Sequence, residues 1–177
     1  MTHHMITDLF TDRIFPGFPF RNQRWLAVAF ERNMYDAARM PEGFFREASR
    51  VFNPSRKSKL LMTGDCFVLE GRVDVALVGF DWDGYSSFMR SKEGFSLEYK
   101  MASDSGDWGC WADQELTVVG GEQRKMDRLL EQCGGREFML KRMETEFFLD
   151  EPAGNEDMRA YFRGLLFPDE REPRGER

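Results

Sequence analysis

Carboxylates and aromatics, not histidines, carry what chemistry this chain has to offer. Asp81, Trp82, Asp83 and Tyr85 fall close together, and Asp104, Asp107, Trp108, Trp111 and Asp113 form a second group downstream. Carboxylates at such spacing can act as nucleophile and acid/base, hold a cation, or steer a basic partner. An indole beside them suits an anchor that a partner buries. The only two histidines are His3 and His4, at the start of the chain. Ser-His-Asp and Cys-His machinery and the common zinc sites are therefore excluded from the body of the fold. A calcium site from Asp81, Asp83, Asp104 and Asp107 lacks the D-x-D-x-D-G loop that such sites use. Asp, Gly and Ser are also the ordinary residues of β-turns, so both groups read equally as turns.

Residues 75–84, V-A-L-V-G-F-D-W-D-G, resemble the first motif of haloacid dehalogenase-like phosphatases, an apolar strand followed by D-x-D-G-T. The resemblance implies Asp81 as nucleophile, Asp83 as acid/base, magnesium beside them and a parallel α/β sheet. Tyr85 stands where the family has Thr, and no later G-D-x-x-x-D follows an apolar strand.

Charge is spread unevenly. Residues 1–60 carry ten basic and six acidic groups, net +4; residues 61–121 carry four and eleven, net -7; residues 122–177 carry eleven and fourteen, net -3. An acidic centre repels phosphate backbones, which argues against nucleic acid and for a protein partner with a basic surface. The same charge also serves as a solvated face. Cys66, Cys110 and Cys133 are odd in number and lack C-x-x-C spacing, as expected of free thiols in a reducing cytosol. The opening residues show no basic and then apolar signal pattern, and no apolar run reaches 18 residues. A cytoplasmic protein with no cofactor and no membrane span is the expectation.

The elements that must position these residues follow from periodicity. Residues 1–22 read as irregular, with two prolines in F-P-G-F-P-F. Residues 24–32 read as a strand buried on both faces and 41–52 as a helix, its apolar stripe running through Phe44, Phe45, Ala48, Val51 and Phe52. Short strands are expected at 60–63, 66–70, 73–80, 95–101, 108–111 and 115–119, with turns at 81–84 and 102–107. Residues 122–133 and 155–167 read as helices, Met126, Leu129, Leu130 and Cys133 lining the first. Residues 136–149 fit neither period and are assigned to a strand. The expected fold is a single α+β domain over 1–168, an antiparallel meander of about five to seven strands packed against about three helices. A charged, disordered tail is expected over 169–177.

In this overall character, small, acidic, α+β and without a catalytic signature, the chain resembles the immunity proteins of bacterial toxin systems. That resemblance implies a cytosolic partner-binding protein that occludes a cognate toxin. The acidic, aromatic turns are then the expected contact: Asp81, Trp82, Asp83 and Tyr85 with Asp104, Asp107, Trp108, Trp111 and Asp113.

Overall fold

The computed structural model describes residues 6, 8–11, 16–64, 75–91, 98–147 and 156–171. Six strands form one sheet: β1 (Leu26–Glu31), β2 (Lys59–Gly64), β3 (Ala76–Gly79), β4 (Tyr99–Ser103), β5 (Trp108–Ala112) and β6 (Leu116–Gly121). Their spatial order is β1-β6-β5-β4-β2-β3, and every neighbouring pair is antiparallel. The α+β class and the antiparallel sheet agree with the sequence. β4, β5 and β6 are the meander, because the links between them are too short for anything else. The expected strand at 66–70 and the start of the one at 95–101 lie outside the described residues.

Among the described residues the sheet is accompanied by α1 (Glu42–Phe52), α2 (Trp82–Arg90), α3 (Gln123–Gln132), α4 (Arg136–Phe147) and α5 (Glu156–Leu166). Three are the expected ones. α2 corrects the expected turn at 81–84. Asp81 is its cap, its Oδ1 accepting from the Gly84 amide at 2.8 Å, and burial of Tyr85 and Met89 one turn apart outweighs the weak propensity of Gly84 and Ser86. α4 corrects the strand expected over 136–149. Met139, Leu140 and Met143 are its buried positions, but Phe138 is 57% exposed, which blurs the stripe that would have announced a helix. Gly134 and Gly135, both at positive φ, separate α3 from α4. Once formed, α4 is held by the i,i+4 pair Arg142–Glu146 at 2.8 Å, and both side chains also bond the Tyr35 hydroxyl. Burial, with the Glu146 carboxylate, pushes the Tyr35 phenol up to about 12.

One face of the sheet receives α1 and α2. Phe45 stacks on Tyr85 at 4.5 Å, and Phe80 lies 5.0 Å from Trp108. The opposite face, over β5 and β6, is covered by the N-terminal segment. Gly109 and Gly120 face each other across the ladder. A Cβ on Gly120 would sit 2.5 Å from the Phe20 ring, and one on Gly109 3.1 Å from it. Only glycine lets that ring lie so close to the backbone.

β1 is an edge strand, and its edge is covered. α4 and α5 pack along it, and the Ala29 amide donates to Met143 Sδ at 3.0 Å. The end of α5 is tied down by Arg171. Its guanidinium donates to the carbonyls of Gly164, Leu165, Gln23 and Trp25, and stacks 3.5 Å above the Phe18 ring. Burial lowers its pKa to about 10, so it stays ionised at neutral pH. Pro168–Glu170 forms a 3-10 turn leading to it. The disordered tail expected from residue 169 therefore does not begin there, since residues 169–171 are folded into this clamp; residues 172–177 lie outside the described ones.

Arg171→Ala strands four carbonyls and should cost about 2–4 kcal/mol, a fall in Tm of roughly 5–15 °C in a chain of this size. Arg171→Lys should recover less than half of that fall, because an ammonium cannot fork across four acceptors. Thermal melts of the two variants check this; a lysine variant that melts with the parent would show that charge alone suffices.

Candidate functional site

Register decides which of the expected site residues meet. Lys59 pairs with Gly79 and Leu60 with Ser103, so β3 and β4 end side by side with β2 between them. The 81–83 corner and the 104–107 turn thus share one end of the sheet. Asp113 does not: Tyr99 pairs with Ala112, which puts Asp113 at the far end.

At the shared end most of the carboxylates are already engaged. Asp81 caps α2 and folds over Gly79, whose Cβ would meet Asp81 Oδ2 at 2.8 Å. Asp104 Oδ2 accepts from the Lys59 amide at 3.0 Å. Asp83 is exposed, with Arg46 Nη2 3.6 Å away. α1 thus brings Arg46 beside the 81–83 corner. The aromatics divide sharply. Tyr85 and Trp108 are wholly buried and Trp111 is 4% exposed, so none of the three offers the open face that a partner anchor requires. That expectation is corrected for these three: Tyr85 and Trp108 complete the core against Phe45 and Phe80, and Trp111 is buried on the opposite face of β5. Trp82 alone keeps an open side, lying half-buried 5.7 Å from Phe45.

Hydroxyls, a carboxylate and an amine converge once. Ser103 and Ser105 donate to Asp107 Oδ1 at 2.9 and 2.6 Å, and Lys125 pairs with Asp107 Oδ2. Burial alone would raise the Asp107 carboxyl, but the hydrogen bonds from Lys125, Ser105 and Ser103 outweigh it and hold it below the usual range. The network staples the turn to α3. The Ser103 hydroxyl also accepts from the Trp108 amide at 3.2 Å. Among the described residues no three His, Cys, Asp or Glu side chains converge as a metal centre would.

The concave site lies at the other end of the sheet, where β1 finishes beside the start of β6. A cleft of about 600 Å³ is lined there by Glu31, Asn33, Glu115 and Asp157 over Leu116, Phe147 and Met158, with Pro16 at its border. Asn33 donates to Glu31 at 2.9 Å. Asp113 stands beside it, its Oδ1 accepting from the amides of Glu115 and Leu116 at 2.8 and 2.9 Å, which turns β5 into β6 and fixes Glu115 at the mouth. None of Glu31, Glu115 and Asp157 makes an ion pair among the described residues. Sequence reading missed this set because its members come from three elements far apart in the chain. The one trace was Glu31, the first acid after a wholly apolar strand.

Compared with known proteins, the chain matches no family model, no curated protein and no solved structure. The parallel α/β sheet implied by the phosphatase-like string is not the sheet observed. β3, which precedes Asp81, is the edge strand of an antiparallel one.

Asp107→Asn should lower stability by about 1 kcal/mol at neutral pH, a modest figure because the Lys125 side chain is 38% exposed. A carboxyl held low in the folded state stabilises above its unfolded value and ceases to as pH falls through its folded one. The gap in Tm between parent and variant should hold from pH 7 to 5, then close as pH drops below 3.8. A gap that stays constant down to pH 2 would remove the charge from the account.

Proposed function

We propose that this is a binding protein that neutralises a protein partner with a basic surface, most concretely a cytosolic immunity protein held against a bacterial toxin. The observation that carries the reading is the cleft: three carboxylates around an apolar floor, none of them ion-paired among the described residues. Such a site suits an arginine or lysine side chain. The carboxylates take the charged head, bidentately if it is a guanidinium, and Leu116, Phe147 and Met158 strip water from the stem. Free acid at the mouth also raises the rate of encounter with a basic surface. The site repels phosphate and calls for no cofactor, consistent with a partner that is protein and not nucleic acid. No helix among the described residues is long and apolar enough to cross a membrane.

A second contact has one observation in its favour. Trp82 keeps an open side between Asp81 and Asp83 at the other end of the sheet. It is the one aromatic of the expected set able to act as an anchor, and losing a good anchor costs about 2 kcal/mol or more of binding.

The test is a pull-down from the native cell with the parent chain, with Glu31→Lys/Glu115→Lys, and with Trp82→Ala/Asp83→Lys, each confirmed folded by thermal melt. The cleft pair should lose the partner, or slow its association roughly tenfold and flatten the salt dependence. Parent-like capture and kinetics with the cleft pair, alongside loss with the Trp82 pair, would move the site to the opposite end. Parent-like behaviour of both pairs would remove acid-led binding altogether. Turnover of a generic phosphate ester with magnesium, abolished by Asp81→Asn, would replace the reading with a phosphatase.

A further inference from the structure

Between the 3-10 turn Arg32–Met34 and α1, the loop 35–40 holds two non-glycine residues in the left-handed region, Asp36 at φ +40° and Arg39 at φ +60°. Arg39 is also buried, 7% exposed, with its guanidinium 5.5 Å from the centre of the Tyr99 ring. Its Nη1 is buried with no acceptor, and among the described residues no carboxylate or carbonyl meets the rest of the fork. The same fold treats its other buried guanidiniums differently. Arg171 reaches four carbonyls, and Arg32 donates to the carbonyl of Asp113. A cation with an occluded donor that meets no acceptor is an arrangement proteins avoid.

The groups around Arg39 that might supply negative charge are held neutral. Tyr85 donates to the Ala38 carbonyl at 2.6 Å, and its oxygen lies 3.2 Å from that of Tyr99. With the Tyr85 proton committed to Ala38, Tyr99 donates to Tyr85, and Cys110 donates to Tyr99 at 3.9 Å. This relay is complete without Arg39. Burial raises both phenols well above their usual range and pushes the Cys110 thiol up to about 12, so all three keep their protons. The acids closest in sequence are answered elsewhere: Asp36 pairs with Arg90 at 3.5 Å and Glu42 with Arg46 at 2.7 Å. Among the described residues Arg39 makes no ion pair.

We propose that Arg39 anchors a binding site for a small oxyanion, a carboxylate or a phosphate, gripped by its guanidinium fork beside Tyr99. The planar fork matches either anion with two parallel hydrogen bonds. An anion there would also hold the strained loop in place, so its binding stabilises the folded chain by mass action.

The experiment titrates the full chain with inorganic phosphate and, separately, with acetate, by calorimetry and by thermal melt, against sodium chloride at matched ionic strength. One saturable site per chain is expected, with a rise in Tm that chloride does not give. Whichever of the two anions binds tighter assigns the source. Arg39→Met should abolish the saturable site, and Arg39→Lys, which keeps the charge and the fold but not the fork, should weaken it at least tenfold. Selenate, an oxyanion that scatters anomalously, should give a peak within hydrogen-bond reach of the guanidinium in crystals of the unmutated chain, whatever the variants do. Three results would each overturn the proposal: no saturable binding of either anion by the parent, unchanged affinity in folded Arg39→Lys, or a selenate peak elsewhere with none at Arg39.

Discussion

The two-sided pairing of β2 is the constraint on which the rest of the structure depends. Leu60 lies between Val78 on one side and Ser103 on the other. That single residue aligns the ends of β3 and β4, delivers the basic loop ahead of β2 to the acidic turns, and leaves β3 at the edge. From there the meander runs without choice to β6, and β1 can only close the far side. A sheet slipped by one residue would turn every core side chain to the wrong face. Leu60, Met62 and Val78 are all buried, and that resists the slip.

The same constraint redistributes charge. Net -7 over residues 61–121 suggested an acidic patch, but among the described residues Asp81 and Asp104 are spent on a cap and an amide, and Asp83 and Asp107 face Arg46 and Lys125. Glu31, Glu115 and Asp157, from β1, the β5–β6 turn and α5, meet instead at the opposite end. Electrostatic character along a sequence and across a surface need not agree when a sheet interleaves strands from distant segments.

What was legible in the sequence was what local physics determines. The α1 stripe from Phe44 to Phe52, the turn after β4 and the α3 stripe from Met126 to Leu130 were read correctly because burial follows the period of one element. α2 was hidden because Asp81 and Gly84 are turn formers by composition, and only the tertiary burial of Tyr85 makes them a helix start. α4 was hidden by Phe138, an apolar residue left on the outside. Of the site, Asp81, Asp83, Asp104, Asp107 and Asp113 were picked for their type, and their placement followed from register, which no single strand encodes. Trp108 and Tyr85 looked like anchors because sequence does not tell a ring on the surface from a ring in the core. Arg39 gave no sign at all, since a buried charge is recognised only by what surrounds it.

The pairing of β1 with β6 also shapes how the chain is made. β1 is wholly apolar through Phe30, and its only sheet partner emerges about 85 residues later. At roughly 5–20 residues per second of synthesis, that strand waits several seconds with both edges open. A short, uncharged segment of high β-propensity is the kind that pairs with whatever is near. Until β6 is made, the five apolar residues from Leu26 to Phe30 are the part of β1 open to such mispairing.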